Sequence, residues 1–281
     1  MSALTKRRLE RLLIALCVIV VVGIALMPLM WMVLTSIKPS AIAIAYPPEF
    51  FFTPTLEHYQ ALVNSGNGAG TLLRAFVNSL IVTGISMLAT LVIACPAAYS
   101  LSRVKPRGGA AITLFIIGVR MLPPIVLVVP LFQIFQPLGL TDTQLALIIP
   151  YVGLSIPLAI WMMIGFFLAL PKELEEAAMI DGAGRLRAFV DIIMPLVAPG
   201  LAATSIFTGL LAWNDLVFSL PLTTQQAVTL PVIAARMRVE EGTLWGQLGA
   251  VSTIMIVPVL LLTFFVQRHI VHGIASGAVK G

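Results

Sequence analysis

Long uninterrupted runs of apolar residues make up most of the chain, and the polar residues are gathered into short segments between the runs. Apolar and polar positions do not alternate as they do in the strands of an outer-membrane barrel, so the runs predict helices. A helix needs about 20 apolar residues to cross the hydrocarbon core of a bilayer. Six runs have this length: 12–37, 76–100, 111–135, 145–170, 200–220 and 248–270. The pattern therefore predicts an all-α integral membrane protein with six transmembrane helices.

The composition agrees with this class of protein. Hydrophobic residues make up 59% of the 281 residues, charged residues only 10%, and the mean hydropathy is +1.03, outside the range of soluble globular domains. Cys17 and Cys95 lie in apolar runs, where we expect packed or lipid-facing thiols rather than a disulfide. The net charge of +5 does not indicate nucleic-acid binding, because the basic residues lie at the ends of the runs and form no basic stripe.

The positions of the basic residues predict the orientation in the membrane. Six spans bring both termini to the same side. The basic residues on that side are Lys6, Arg7, Arg8, Arg11, Arg103, Lys105, Arg107, Lys172, Arg185, Arg187, Arg268 and Lys280. The opposite side holds only Lys38, Arg74, Arg236 and Arg238, so the positive-inside rule predicts that both termini are cytoplasmic. The first run is too long for a signal peptide and is expected to stay as an anchor.

One charged segment, 171–195, interrupts the apolar pattern, and we call it the elbow. Pro171 and the three glutamates after it predict the start of a short helix, and Asp181-Gly182 predicts a turn in which Gly182 has a positive φ. A second short helix is predicted to end near Pro195. The helical period predicts two inward faces: Leu174, Ala177, Ala178 and Asp181 in the first helix, and Leu186, Phe189, Val190 and Ile193 in the second. An amphipathic loop resting on the membrane surface remains the alternative.

The elbow resembles the EAA motif of membrane permeases in binding-protein-dependent ABC importers. In that family Glu-Ala-Ala is followed by Asp-Gly-Ala and then by Phe-x-x-Ile-x-x-Pro. The matching positions are Glu176, Ala177, Ala178, Asp181, Gly182, Ala183, Phe189, Ile192 and Pro195. The segments "FVNSLIVT", "PLGLTDTQLALIIPY", "WNDLVFSL" and "GIASGAVKG" are similar to the carbohydrate branch of the family, the permeases of the maltose and trehalose type.

The resemblance implies a type I ABC importer permease fold in which the elbow is a cytoplasmic coupling helix. Its implied partners are a second homologous permease, two ATP-binding subunits, an extracytoplasmic sugar-binding protein and membrane lipid. The chain is then a translocation subunit and not an enzyme, with ATP and Mg²⁺ bound by the partner ATPase subunits. No G-x-x-x-x-G-K-[ST] sequence occurs in the chain itself.

The predicted spans and the resemblance together divide the chain into parts in a bacterial-type inner membrane. We expect residues 1–37 to be a cytoplasmic tail and the first transmembrane helix, 38–75 a periplasmic loop, 76–270 the core permease domain and 271–281 a cytoplasmic tail. The Pro and Gly content of the loop predicts an irregular segment with one short helix at 56–63. Segment 238–247, "RVEEGTLWGQ", is a candidate docking surface for the binding protein.

Charged residues inside spans mark candidates for the substrate pathway, because burying a charge in a membrane is costly. Arg120 lies within the third run and is followed by Pro123-Pro124, which predict a kink, and Asp215 lies within the fifth run. Further candidates able to bind a sugar are Gln133, Tyr151, Trp161 and Asn214. In the alternative interpretation, Arg120 and Asp215 pair with neighbouring helices or with a partner subunit, and the aromatic residues serve packing.

Other classes of membrane protein remain as alternatives. An ion- or proton-driven secondary transporter usually has several intramembrane carboxylates and paired inverted halves, whereas Asp215 is the only carboxylate within the six runs. An intramembrane enzyme is disfavoured because the runs contain no His-Glu-x-x-His or Gly-x-Ser-x-Gly pattern. Composition alone does not exclude a channel, although a channel gives the elbow no purpose.

Overall fold

The computed structural model describes residues 3–64, 68–239 and 242–277. Over these ranges the chain is helical apart from connecting turns and one short hairpin. Four of the described helices are long and apolar enough to cross a membrane, and the number rises to six if each of two bent helix pairs counts as one span. Lys280 and the two glutamates of segment 238–247, Glu240 and Glu241, lie outside the described residues.

The helices follow the predicted runs closely in four cases. Their bounds are α1 Ala3–Ile37, α2 Glu57–Asn64, α3 Gly68–Tyr99, α4 Gly109–Val119, α5 Val128–Phe135, α6 Leu145–Ala169, α7 Glu173–Ile180, α8 Arg185–Ala188, α9 Met194–Leu196, α10 Ala198–Trp213, α11 Ser219–Leu222, α12 Leu230–Ala235 and α13 Trp245–Gly277. The helix α2 confirms the one predicted at 56–63, whereas α12 was not predicted. Strands β1 Arg238–Val239 and β2 Gly242–Thr243 pair antiparallel.

The third and fifth predicted spans are not continuous helices. In the third, α4 ends at Val119, Pro123 adopts an extended conformation, and a 3₁₀ turn, Pro124–Leu127, leads into α5 with a bend of 86°. The predicted kink at Pro123-Pro124 is thus confirmed and is sharp. In the fifth, α10 has 16 residues and ends at Trp213, before the predicted end at 220. An α-helix of this length is about 24 Å long, shorter than the ~30 Å hydrocarbon core.

The chain forms two compact units. The first comprises residues 1–71 and 234–256. In this unit the Nζ atom of Lys38 lies 4.6 Å from the ring centroid of Trp31 and 5.5 Å from that of Phe52, which is the geometry of a cation–π contact. The buried imidazole of His58 bonds the carbonyl oxygen of Lys38 at 2.7 Å. These contacts fix α2 and the end of α1 to each other.

The second unit comprises residues 72–233 and 257–281, and it contains the elbow. Helices α3, α6 and α10 contribute to its two apolar cores. Gly200 allows α10 to approach α6 closely, because a Cβ atom at this position would lie 2.3 Å from the ring of Phe166. One core lies beside the chain break after α10, and the other lies beside the elbow and includes Tyr99, Phe167 and Ile193.

Candidate coupling elbow and membrane cavity

The turn of the elbow has the geometry expected of Asp181-Gly182. Helix α7 ends with Asp181 as its C-cap, and Gly182 follows with a φ of 88°. The N–H of Ala183 donates to the carbonyl of Ala178 at 3.0 Å, and that of Gly182 donates to Met179 at 3.1 Å. A left-handed glycine with these two bonds is the Schellman type of helix C-terminus. The helix begins at Glu173 with Lys172 as its N-cap, so Pro171 lies just before the helix rather than at its first position.

The inward face predicted for the first elbow helix was right for Ala178 and wrong for its other three residues. The buried residues of α7 are Glu175 and Ala178, whereas Leu174, Ala177 and Asp181 are exposed. The prediction followed apolar spacing, but Glu175 is buried because its carboxylate accepts a hydrogen bond from the Tyr99 hydroxyl of α3. A polar partner from another helix therefore decides which face of α7 turns inward.

The second elbow helix also differs from its prediction. Ala188 and Ile193 are buried and Phe189 is partly buried, but Leu186 is 76% exposed and Val190 is 51% exposed. The helix α8 continues as a π turn, Phe189–Ile193, which rotates the following residues relative to a regular α-helix. Pro195 lies within the short helix α9, which ends at Leu196, and the axis bends by 76° before α10, so the predicted end near Pro195 is confirmed.

The two elbow helices enclose a hollow with a volume of about 340 Å³. Its lining residues are Ala178, Asp181, Gly182, Ala183, Arg187, Asp191 and Ile192. Five residues of the EAA-like motif thus share one hollow. Of the other motif residues, Glu176, Ala177 and Pro195 are exposed, and Phe189 packs against Tyr99 with ring centroids 4.7 Å apart. Ile180 is 85% exposed and adds an apolar side chain at the end of α7.

A second cavity of about 330 Å³ lies at the chain breaks after α4 and α10. Its volume is at the lower end of the range of about 300–1,000 Å³ for small-molecule sites. Its polar lining side chains are Arg120, Tyr151, Ser155 and Asp215, and its apolar lining includes Leu154, Leu211 and Phe218. Three of the predicted pathway residues are therefore brought together from three different segments.

Asp215 has a structural role in this wall. Its Oδ2 atom accepts hydrogen bonds from the Tyr151 hydroxyl at 2.7 Å and from the backbone N–H groups of Phe218 at 3.0 Å and Ser219 at 3.2 Å. The carboxylate thereby caps α11 and ties it to α6. Arg120, by contrast, is exposed in this cavity, and its guanidinium has no hydrogen bond or ion pair with any described residue.

The remaining pathway candidates lie elsewhere. Gln133 and Trp161 are exposed on α5 and α6 and do not line this cavity. Asn214 is also outside the lining, and its amide donates to the carbonyl of Leu210 at 3.0 Å. Among the described residues, no group of three His, Cys, Asp or Glu side chains has the spacing of a metal site.

Residues that fix the loop after α11 were missed in the sequence. Asp142 has a φ of 58°, and its carboxylate accepts hydrogen bonds from the backbone N–H groups of residues 224–227 at 2.9–3.2 Å. Burial alone would raise the pKa of Asp142, but these donors outweigh it and lower the pKa to about 2. Asn78 of α3 donates to the carbonyls of Gln226 and Val228 at 2.8 and 3.0 Å. A lone aspartate in "GLTDTQ" gives no local signal of partners 82–85 residues away.

Known proteins match the chain over most of its length. The model of the family described as "Binding-protein-dependent transport system inner membrane component" matches residues 90–276. The trehalose/maltose transport system permease protein MalG of Thermococcus litoralis is 36% identical, with 97% of this chain and 98% of that protein covered. The trehalose transport system permease protein SugB of Mycobacterium tuberculosis is 36% identical, with 93% and 94% covered.

A solved structure has the same fold. It is a bacterial ABC transporter involved in the import of the acidic polysaccharide alginate, and one of its chains matches with a TM-score of 0.75 and 21% identity, covering 95% of this chain and 98% of that chain. The resemblance predicted from the elbow motif is confirmed by the family match, which covers more than half of the chain. The chain belongs to the family of multi-pass inner membrane components of binding-protein-dependent transport systems.

Proposed function

We propose that this chain is one permease subunit of an ATP-driven importer that carries a sugar across the inner membrane. Its partners are a second, homologous permease, two ATPase subunits that bind ATP and Mg²⁺, an external sugar-binding protein and the surrounding lipid. Both termini and the elbow lie on the cytoplasmic side in this proposal. The sugar assignment is supported by the names of the trehalose permeases to which the chain is 36% identical.

The exposed surface of the elbow is the observation that carries the proposal. Ile180, Leu186 and Val190 are at least half exposed, although the elbow carries seven acidic and basic residues between 172 and 187. Exposed apolar side chains grouped in a charged segment are typical of a docking site for another protein. The hollow between the two helices, with Gly182 at its turn, gives an ATPase subunit a shaped surface to hold.

The proposed pathway for the sugar passes the cavity lined by Arg120, Tyr151 and Asp215. The guanidinium of Arg120 has no partner among the described residues, and it can donate several hydrogen bonds to sugar hydroxyls. Tyr151 and Asp215 already form a hydrogen bond with each other. We therefore propose that they hold the cavity wall in shape and also make it polar. The competing role for Arg120 is an ion pair with the partner permease.

Transport by the complete complex tests the proposal. The chain, its partner permease and the ATPase subunits are reconstituted in vesicles, and uptake of radiolabelled sugars is measured with the cognate binding protein. We expect uptake with ATP and none with a non-hydrolysable analogue. Uptake by this chain alone, driven by an ion gradient without ATP, would instead support a secondary transporter.

A further inference from the structure

The contact between the elbow and the membrane helices includes a buried polar link. Glu175, in the first turn of α7, is only 9% exposed, and its carboxylate accepts a hydrogen bond from the hydroxyl of Tyr99, the last residue of α3. Among the described residues, Tyr99 is the only side chain that donates to Glu175. A buried carboxylate is costly without a donor, so this bond determines how α7 sits against α3.

A second polar bond lies beside the first. The Nη2 atom of Arg103 donates to the carbonyl oxygen of Leu170 at 2.6 Å, and Leu170 is the residue that follows α6 and precedes the elbow. Arg103, in the turn after α3, thus holds the chain at Leu170, and Tyr99, at the end of α3, holds it again at Glu175. Two attachment points five residues apart restrict rotation of the elbow as well as its displacement.

The ring of Tyr99 also packs in a cluster of three aromatic rings. The ring centroid of Tyr99 lies 5.8 Å from that of Phe167 in α6 and 4.7 Å from that of Phe189 after α8, and the two phenylalanine rings are 6.3 Å apart. Tyr99 and Phe167 are buried. The cluster therefore joins both elbow helices to α3 and α6 through apolar contact as well as hydrogen bonds.

Irregular helical turns occur on both sides of this cluster. A π turn, Ser100–Val104, begins directly after Tyr99, and another, Phe189–Ile193, begins at the ring that packs on Tyr99. Single π turns are rare in helices overall, and those that do occur are often found at functional sites. Their position here widens the helices where the elbow attaches.

We propose that Tyr99 and Glu175 are positioning residues that transmit motion between the elbow and the membrane helices. With their bond intact, displacement of the elbow moves α3 and α6 with it. Without the bond, α7 tilts against α3, and the elbow moves while the spans do not. This inference rests on the proposed function of the elbow as the contact with the ATPase subunits.

Sugar imported per ATP hydrolysed, measured in the complete reconstituted transporter, tests the link. We expect Tyr99→Phe and Glu175→Ala to lower this ratio about tenfold while ATP hydrolysis continues, since each removes a buried bond to a charged group. Glu175→Gln retains an acceptor oxygen and is expected to keep at least about half of the wild-type ratio. The double variant Tyr99→Phe with Glu175→Ala is expected to be no worse than the stronger single variant, because one bond is lost in all three.

Two matched controls separate the link from general damage. Tyr46→Phe removes the hydroxyl of a tyrosine that is 96% exposed, and Glu49→Ala removes an exposed carboxylate that lies outside the elbow. Both are expected to retain the wild-type ratio. A wild-type ratio in Tyr99→Phe and Glu175→Ala overturns the inference, as does a double variant whose loss is the product of the single losses. If wild-type uptake itself needs no ATP, the proposed function fails instead.

Discussion

The hydroxyl of Tyr151 donates a 2.7 Å hydrogen bond to the Oδ2 atom of Asp215, and this bond connects α6 to the chain break after α10. The same oxygen accepts the N–H groups of Phe218 and Ser219. The carboxylate of Asp215 thus accepts three hydrogen bonds at the wall of the membrane cavity. The break in the fifth predicted span is stabilised by this side chain.

Removing the Asp215 carboxylate is expected to destabilise the protein. Asp215→Ala leaves the Tyr151 hydroxyl and two backbone donors without their acceptor, and the expected loss in the free energy of unfolding is about 2–5 kcal/mol. Asp215→Asn keeps one acceptor oxygen and should lose less than half as much. Thermal unfolding of the purified transporter in detergent measures the difference. If the Asp215→Ala variant is as stable as the wild type, Asp215 does not stabilise the protein by capping α11.

Replacing Arg120 is expected to affect transport and not stability. Its guanidinium has no partner among the described residues, so Arg120→Gln should leave the unfolding temperature unchanged. We expect sugar uptake to fall at least about tenfold, because the variant loses a hydrogen bond between a charged donor and the sugar, and such a bond has about that effect on binding. Initial uptake rates test this, with Arg107→Gln, an exposed arginine after α3, as the matched control. Normal uptake in Arg120→Gln would exclude Arg120 from the pathway.

The turn at Gly182 offers a matched pair of glycines. Gly182 has a φ of 88°, whereas Gly184, two residues later, has a φ of −68°, and neither has a neighbour within 4 Å of an added Cβ atom. Gly182→Ala therefore strains the backbone by about 1–2 kcal/mol without a clash of the added Cβ atom, and Gly184→Ala does not. We expect Gly182→Ala to lower ATP-coupled transport and Gly184→Ala to retain it. Equal transport by both variants would mean that the turn geometry is irrelevant to coupling.

The carboxylate of Asp142 is expected to make stability depend on pH. Its pKa of about 2 in the folded protein lies below the ordinary value of 3.8, so the folded state binds the proton more weakly than the unfolded state. The stabilisation is complete above about pH 5 and is lost as the pH falls through about 4 towards 2. The difference in unfolding temperature between wild type and Asp142→Asn should therefore shrink from pH 5 to pH 3. A difference that stays constant over this range contradicts the assignment.

The apolar runs predicted four long helices well, because a membrane span needs a long apolar sequence whatever surrounds it. The same rule failed for the third and fifth spans. Pro123 itself indicates that the helix ends before it. The helix break after Trp213, by contrast, depends on a hydrogen bond between Asp215 and Tyr151, which are 64 residues apart in the chain. No local pattern encodes such a pair.

The elbow shows the same limit on a smaller scale. The turn at Gly182 was predicted because only local backbone geometry is involved. The inward face of α7 was not predicted, because burial of Glu175 depends on a hydroxyl 76 residues earlier in the chain. The motif therefore identified the segment, while its orientation required the packed structure.

Site-specific crosslinking in intact membranes tests the central claim most directly. Single cysteines are placed at Ala177 and Ile180, both exposed, and at Ala188, which is 0% exposed and does not line the elbow hollow, in a chain carrying Cys17→Ser and Cys95→Ala. We predict that Ala177→Cys and Ile180→Cys crosslink to an ATPase subunit and that Ala188→Cys does so far less. Crosslinks from these positions to lipid alone, with none to an ATPase subunit, would contradict the coupling function of the elbow.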